Sequence, residues 1–154
     1  MAQSATDMIR EDHRKVEQLY RRYQSSEGPA AAKRALAEQI CHELEVHASI
    51  EEGIFYPAVQ VKLGMDNTGL VHEALREHGE LKKLIGHIRD DGGDDSTRDG
   101  GMQALMQSVA HHVQEEERQM LPQAEQRLGE ELERVGAQMQ QRKQEALPPT
   151  AATE

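Results

Sequence analysis

The chain has 154 residues and a formal net charge of −10, with 28 acidic and 18 basic side chains. This negative balance argues against a nucleic-acid-binding protein, because phosphate recognition needs a clustered positive surface. Aromatic residues make up only 3% of the sequence, so the core must be built mainly from aliphatic side chains and methionine. Such a composition favours packed helices over a β-sandwich.

The sequence also indicates where the protein works. Its single cysteine, Cys41, excludes an intramolecular disulfide and a thiolate metal cluster. Charged residues such as Asp7 and Arg10 occur early, where a signal peptide would be apolar. No run approaches the roughly 18 apolar residues of a membrane-spanning helix. We therefore expect a cytoplasmic protein that does not contact membranes.

Four amphipathic segments follow one another along the chain, separated by short polar or glycine-rich loops. They cover about residues 4–24, 30–62, 67–89 and 96–146. Helices joined by short loops pack as antiparallel neighbours. The sequence therefore predicts an all-α fold, an up-down-up-down antiparallel four-helix bundle over residues 1–146, followed by a disordered tail at residues 147–154.

A pattern of histidine and glutamate recurs with a constant shift of 65 positions, which predicts a pseudo-twofold internal repeat. His47 and Glu51 reappear as His112 and Glu116, and a further histidine precedes each pair by 34 positions. A proline follows the second histidine of each half by ten positions, which predicts a matched bend in helices two and four. The residues of the pattern are His13, His47, Glu51, His78, His112 and Glu116.

Helical phasing places these six residues on the inward faces of their helices. At about 100° per residue, each lies within the stripe of apolar side chains, and His112 rather than His111 faces the core. The other four histidines lie outside the stripe and are interpreted as surface residues. They are His42, His72, His87 and His111.

The two inward glutamates are the strongest sign of a metal site. A buried carboxylate carries a high desolvation cost unless it is paired or bound to a metal, and Lys82 is the one basic residue that could serve as a partner. If each glutamate bridges two ions, each ion receives two nitrogens and two oxygens and keeps open positions. These positions can hold an oxo or hydroxo bridge and a small ligand. Such a donor set suits iron, and manganese or zinc less well.

Other acidic residues near the pattern are interpreted as solvent-exposed helix faces. They are Glu17, Glu43, Glu45, Glu52, Glu115 and Glu117. The alternative to a metal protein is a metal-free helical scaffold whose long fourth helix binds a partner.

The arrangement of the six residues, with the segments IEEGIFYP and EEERQMLP after the paired ligands, resembles the hemerythrin-like cation-binding (HHE) family. The likeness covers about residues 5–130. It implies an antiparallel four-helix bundle around a non-haem di-iron centre, with two iron ions held by the six residues.

Two positions bear on how such a centre is used. Hemerythrin oxygen carriers have a fifth histidine four positions before the one on the third helix, and Ala74 stands there instead. We therefore expect a site that is more open than a carrier's. Some bacterial relatives use a tyrosine directly before the helix-two proline as an iron ligand, and Tyr56 occupies this place. On a straight helix Tyr56 points about 180° away from His47, so only a break near Pro57 would turn it inward.

These features predict a carboxylate-bridged di-iron site that reacts with or binds small oxidants and diatomics, namely peroxide, dioxygen or nitric oxide. Oxidative or nitrosative stress and iron handling are the expected settings. An enzyme of this kind would be a catalase- or peroxidase-like oxidoreductase. The alternative is a module that binds or senses dioxygen, nitric oxide or iron without turnover, and the sequence does not separate the two.

Overall fold

The structure is a computed structural model that describes residues 3–63, 68–90 and 94–146. Within these ranges all regular elements are helices, which confirms the predicted all-α class. None of the described helices is both long and apolar enough to cross a membrane. The predicted tail at residues 147–154 and the predicted start of the third helix at residue 67 lie outside the described residues.

The helices are α1 (Ala5–Ser25), α2 (Ala30–Ile50), α3 (Tyr56–Leu63), α4 (Thr68–Asp90), α5 (Asp95–Glu115), α6 (Leu121–Leu128) and α7 (Glu131–Ala146).

Two π-helical turns interrupt the long helical stretches at matched places. Glu51–Phe55 joins α2 to α3, and Glu116–Met120 joins α5 to α6, without a break in the chain. Each turn is closed by a hydrogen bond over five residues, from Tyr56 N–H to the Glu51 carbonyl in the first case. A proline follows two positions after each turn and cannot donate to a helical carbonyl. The irregularity predicted from the prolines is therefore present as a pair of wide turns, and each one begins at a glutamate of the repeated pattern.

Two apolar layers form the core, and the polar residues of the repeat lie between them. One layer contains Ile9, Ile50 and Val59, and the other contains Val16 and Leu105. Helix α1 packs against α2, α4 against α5, and α3 against α6. The repeat residues consequently meet in the middle of the molecule, where apolar side chains on both sides keep water away.

The prediction of one continuous fourth helix to residue 146 is wrong. Gly129 adopts a positive φ of 53° and ends α6, and the chain then turns into the separate helix α7. A residue without Cβ adopts this conformation without strain, which makes glycine the usual helix terminator. Helix α7 packs against α1, α2 and the first π-helical turn. Its buried Gly136 lies directly against the backbone of Gln3 and Ala5.

Candidate metal centre

The structure brings the six residues of the repeated pattern together in two adjoining groups. Within each group, one ligand atom from every residue lies within 4.8 Å of the others. Glu51 belongs to both groups, so the two form one continuous polar centre. The first group is His13, His47, Glu51 and Glu116, and the second is Glu51, His78 and His112.

The two glutamates each reach both groups. Glu51 Oε1 lies 3.2 Å from His47 Nε2 and 3.0 Å from His78 Nε2. Glu116 divides its two oxygens, with Oε1 3.1 Å from His13 Nε2 and Oε2 3.4 Å from His112 Nε2. Both carboxylates are therefore positioned between two sets of imidazole nitrogens, which is the placement of a bridging ligand.

Several atoms at the centre are buried without the hydrogen bonds that burial normally requires. Nε2 of His13 and His47, Oε2 of Glu51 and Oε1 of Glu116 have no hydrogen-bond partner among the described residues. An unsatisfied buried polar atom costs about 1–3 kcal/mol, and more when it is charged. A cation surrounded by imidazole nitrogens and carboxylate oxygens would satisfy these atoms, so the donor set fits a divalent metal ion.

The other ring nitrogen of each histidine contacts a carboxylate from a neighbouring helical stretch. Asp12 Oδ2 lies 3.0 Å from His47 Nδ1, and Glu77 Oε1 lies 2.7 Å from His112 Nδ1. A carboxylate accepts a hydrogen bond, so Nδ1 carries a proton, and Nε2 would present its lone pair to a bound metal ion. Carboxylates in this position fix the orientation of metal-bound histidines and increase their basicity. Lys143 of α7 donates to the second Asp12 oxygen at 2.6 Å.

The two remaining histidines have equivalent partners. Glu52 Oε2 lies 2.8 Å from His78 Nδ1, and Glu117 Oε2 lies 2.6 Å from His13 Nδ1. Both glutamates are half-buried, so their interpretation as solvent-exposed faces is wrong. Sequence reasoning missed all four orienting carboxylates, although the shift of 65 positions relates them to one another in pairs. The pairs are Asp12 with Glu77, and Glu52 with Glu117.

Tyr56 lies at the middle of the centre, against the expectation from straight-helix phasing. Its hydroxyl donates to Glu116 Oε2 at 2.6 Å and lies 3.1 Å from Glu51 Oε1. It also lies 3.3 Å from His78 Nε2 and 3.5 Å from His112 Nε2. The π-helical turn before Tyr56 contains one residue more than an α-helical turn, which rotates everything after it by about 100°. The break that could turn Tyr56 inward is therefore present.

Comparison with known proteins identifies the family. The model of the hemerythrin HHE cation binding domain matches residues 4–124, which include all six residues of the repeat. The chain belongs to this family.

Two relatives of this HHE domain differ from it at most positions of the sequence. An uncharacterized hemerythrin-like protein of Schizosaccharomyces pombe is 29% identical over 126 residues, which cover 82% of the chain and 62% of the relative. A DNA nickase of Nostoc is 32% identical over 111 residues, which cover 72% of the chain and 30% of the relative. The chain thus spans less than two thirds of the length of either protein.

The fold of the HHE domain has a solved counterpart. The crystal structure of a hemerythrin HHE cation binding domain-containing protein from Mycobacterium kansasii superposes with a TM-score of 0.79 at 23% identity. The match covers 94% of this chain and 87% of that one. At this identity the likeness concerns the fold.

Close contacts among the buried groups shift the pKa values of His47, His112 and Glu51 towards their charged forms. Burial disfavours the charged form of His47, but Glu51 and Asp12 outweigh this effect and raise the pKa of His47 to about 10. The pKa of His112 rises to about 11 because Glu116 and Glu51 likewise outweigh burial. The surrounding imidazoles lower the pKa of Glu51 well below its usual range in spite of burial. Burial and the two carboxylates raise the pKa of Tyr56 far above normal, so its phenol is protonated.

Two spaces adjoin the centre. Ala74 is buried and lines a cavity of about 30 Å³ together with His112, Glu116 and Met120. A cavity of this volume has room for about two water molecules, so the open edge expected at Ala74 is a small void rather than a wide mouth. On the opposite side, a groove of about 580 Å³ between α1 and α5 reaches His13.

The histidines interpreted as surface residues take no part in the central groups. His72, His87 and His111 are exposed, and His42 is half-buried. His111 nevertheless belongs to a third group of ligand-type residues, with Glu77 and Glu115. The pKa of Glu115 is raised, first by its close side-chain contact with Glu77 and then by burial.

Proposed function

We propose that the chain is a non-haem di-iron protein whose centre binds or reacts with peroxide, dioxygen or nitric oxide. The observation that carries this proposal is the position of Glu51 and Glu116, each within about 3.5 Å of histidine nitrogens on both sides. Two bridging carboxylates and four imidazoles make a site for two ions rather than one.

The ligands divide naturally between two ions. His13 and His47 would hold one, His78 and His112 the other, and Glu51 with Glu116 would bridge them. Two iron ions held in this way supply one-electron redox steps and open coordination positions, and manganese or zinc fit the expected chemistry less well. Tyr56 is proposed as an additional ligand because its hydroxyl lies among the same donor atoms.

The chain's own residues limit the space beside His112 and Glu116 and thereby favour small substrates. The apolar layers on both sides enclose the centre, and the cavity beside His112 and Glu116 measures about 30 Å³. A diatomic molecule or peroxide matches this volume, whereas an organic substrate would have to approach along the groove that reaches His13.

Both turnover and binding are compatible with this enclosure. We propose a catalase- or peroxidase-like reaction first, in oxidative or nitrosative stress or iron handling, and a binding or sensing role second. The same small cavity supports the second role, because it would hold dioxygen or nitric oxide as well as it would hold peroxide. The buried thiol of Cys41 suits the reducing environment of the cytoplasm, which we propose as the location.

We further propose that the molecule is an antiparallel four-helix bundle with a pseudo-twofold repeat, to which α7 is added. Its four long members are α1, α2 with α3, α4, and α5 with α6. The support is the matched position of the π-helical turns and the constant shift of 65 between the two halves.

Metal analysis and a peroxide assay test the function. Protein purified without chelator should contain about two iron ions per chain, and Glu51→Gln should lose most of them, whereas the exposed control Glu133→Gln should not. Oxygen release on addition of peroxide supports the enzyme, and reversible binding without oxygen release supports the sensor. A metal-free protein that binds no added ferrous iron contradicts both.

A further inference from the structure

A third group of ligand-type residues lies on the outer side of the helix pair α4 and α5. His111 Nε2 is 3.2 Å from Glu115 Oε1, one helical turn away, and 3.3 Å from Glu77 Oε2. The ligand atoms of the three residues all lie within 4.8 Å of one another. One imidazole nitrogen and two carboxylate oxygens form half of an octahedral coordination shell, and water can complete it.

Glu77 supplies an independent sign that a cation belongs here. Its side chain is only 6% exposed, and its Oε2 atom has no hydrogen-bond partner among the described residues. Its other oxygen accepts from His112 Nδ1 at 2.7 Å. Glu77 is thus buried, ionisable and satisfied on one side alone, with its free oxygen directed at His111.

No arginine or lysine in the described part of the chain neutralises Glu77. The nearby Arg76 is engaged by Glu73, with which it forms a short ion pair, and by Glu80 at 2.6 Å. The other neighbours of Glu77 are His112, which contacts its Oε1 atom, and the two residues of the outer group, His111 and Glu115. A cation bound between Glu77, His111 and Glu115 would supply the partner that Oε2 of Glu77 lacks among the described residues.

The group is also connected to the centre. The cavity of about 30 Å³ is lined by Glu77 and Glu115 on one side and by His112 and Glu116 on the other. Ala74 contributes to its wall, and a larger side chain at that position would fill the space. A dehydrated ion could move from the outer residues to His112 and Glu116 by exchanging one carboxylate or imidazole ligand for the next.

We propose that Glu77, His111 and Glu115 form a third cation site, which takes up ferrous iron or another first-row divalent ion and passes it to the centre. This inference rests on the proposed di-iron function. The transfer is an exchange of ligands without a change in oxidation state. Glu77 links the two sites, because it contacts the outer ion with one oxygen and orients His112 with the other.

Zinc provides a direct test of the site. Crystals of the iron-loaded protein are soaked in zinc chloride, and anomalous maps are calculated above and below the zinc absorption edge. We expect a zinc peak about 2.0–2.2 Å from His111 Nε2, bounded by Glu77 and Glu115. The peak should be lost in His111→Ala and retained in His87→Ala, which removes an exposed histidine of α4. Absence of the peak in the wild-type protein at saturating zinc overturns the site.

Uptake kinetics test the transfer. Metal-free protein is mixed with ferrous iron without oxygen, and the unbound ion is followed with a chromogenic chelator. Uptake should be at least about tenfold slower in His111→Ala and Glu115→Gln, because the loss of a ligand weakens the intermediate complex. Final iron content and the absorption spectrum should match wild type and His87→Ala. Equal uptake rates in all four proteins overturn the transfer role. If wild type retains no iron at the centre, the di-iron proposal fails, and the zinc peak at His111 in crystals of the metal-free protein then decides the third site.

Discussion

The Tyr56 hydroxyl donates a 2.6 Å hydrogen bond to Glu116 Oε2 and thereby joins the two halves of the repeat at their π-helical turns. Tyr56 follows the first turn, and Glu116 begins the second. The equivalent of Tyr56 in the second half is Leu121, which is buried and apolar. The centre is therefore asymmetric, with a single phenol inserted from one side.

Replacement of this phenol should change the spectrum of the iron-loaded protein. In Tyr56→Phe we expect iron content to stay near wild type, because the four histidines and two glutamates remain. A tyrosinate-to-iron charge-transfer band should be present in wild type and absent from the variant, as measured by visible absorption. Tyr20→Phe removes a half-buried phenol that is outside the central groups and should leave the band intact. An identical spectrum in Tyr56→Phe excludes ligation by this residue.

The orienting carboxylates should affect metal affinity without contacting metal. Asp12→Asn weakens the acceptor for His47 Nδ1–H, so we expect iron affinity to fall by about 10–100-fold. The adjacent Glu11→Gln removes the same charge from an exposed position and serves as the matched control. Competition with a chelator of known affinity measures the iron affinity of both variants. An equal loss in the two variants would attribute the effect to net charge instead of orientation.

Iron binding should release protons. The pKa values of about 10 for His47 and about 11 for His112 mean that both rings are protonated near neutral pH in the metal-free protein. Because these pKa values are raised on folding, protonation stabilises the metal-free fold below pH 6.5, and this contribution is lost as pH rises towards 10. Metal ions need the neutral ring, so iron affinity should increase with pH. Calorimetry in buffers of different ionisation enthalpy measures the released protons, and a buffer-independent enthalpy contradicts the prediction.

The packing of helix α7 against the start of α1 should require a residue without a side chain at position 136. A Cβ atom there would lie 2.9 Å from Ala5 N and 3.0 Å from the Ser4 carbonyl carbon, both backbone atoms that cannot move aside. We expect Gly136→Ala to lower the free energy of unfolding by about 1–3 kcal/mol. Gly86→Ala in α4, where a Cβ meets nothing within 4 Å among the described residues, should raise it by about 0.5–1 kcal/mol. Urea denaturation measures the free energy of unfolding of both variants and of wild type. Equal stability of Gly136→Ala and wild type would contradict the close packing.

The polar centre was accessible to sequence analysis because it follows from regular periodicity. His112 and His111 are adjacent in the chain, and a rotation of 100° per residue is enough to select His112 for the core. The same reasoning failed for Tyr56, because a π-helical turn of five residues changes the rotation after Glu51. The prolines marked where regularity ends, but they did not specify the kind of turn that replaces it.

Long-range contacts account for most of what the sequence did not predict. The partner of His47 is Asp12, 35 positions away, and the partner of Asp12 is Lys143 on a helix that periodicity had merged with the one before it. Gly129 was the available signal for that helix end. Its role depends on a positive φ, which the pattern of apolar residues does not reveal.

The four orienting carboxylates have a mechanical consequence for the molecule. Each long helical stretch contributes a carboxylate to the next one and receives a carboxylate from the previous one, and Glu117 closes the circle at His13. A slide of any stretch by one helical turn, about 5.4 Å, would break two of these hydrogen bonds together. The circle therefore fixes the axial register of all four stretches before any metal is bound. Because each stretch takes part in two of the four hydrogen bonds, displacement of one stretch weakens its links to both neighbours.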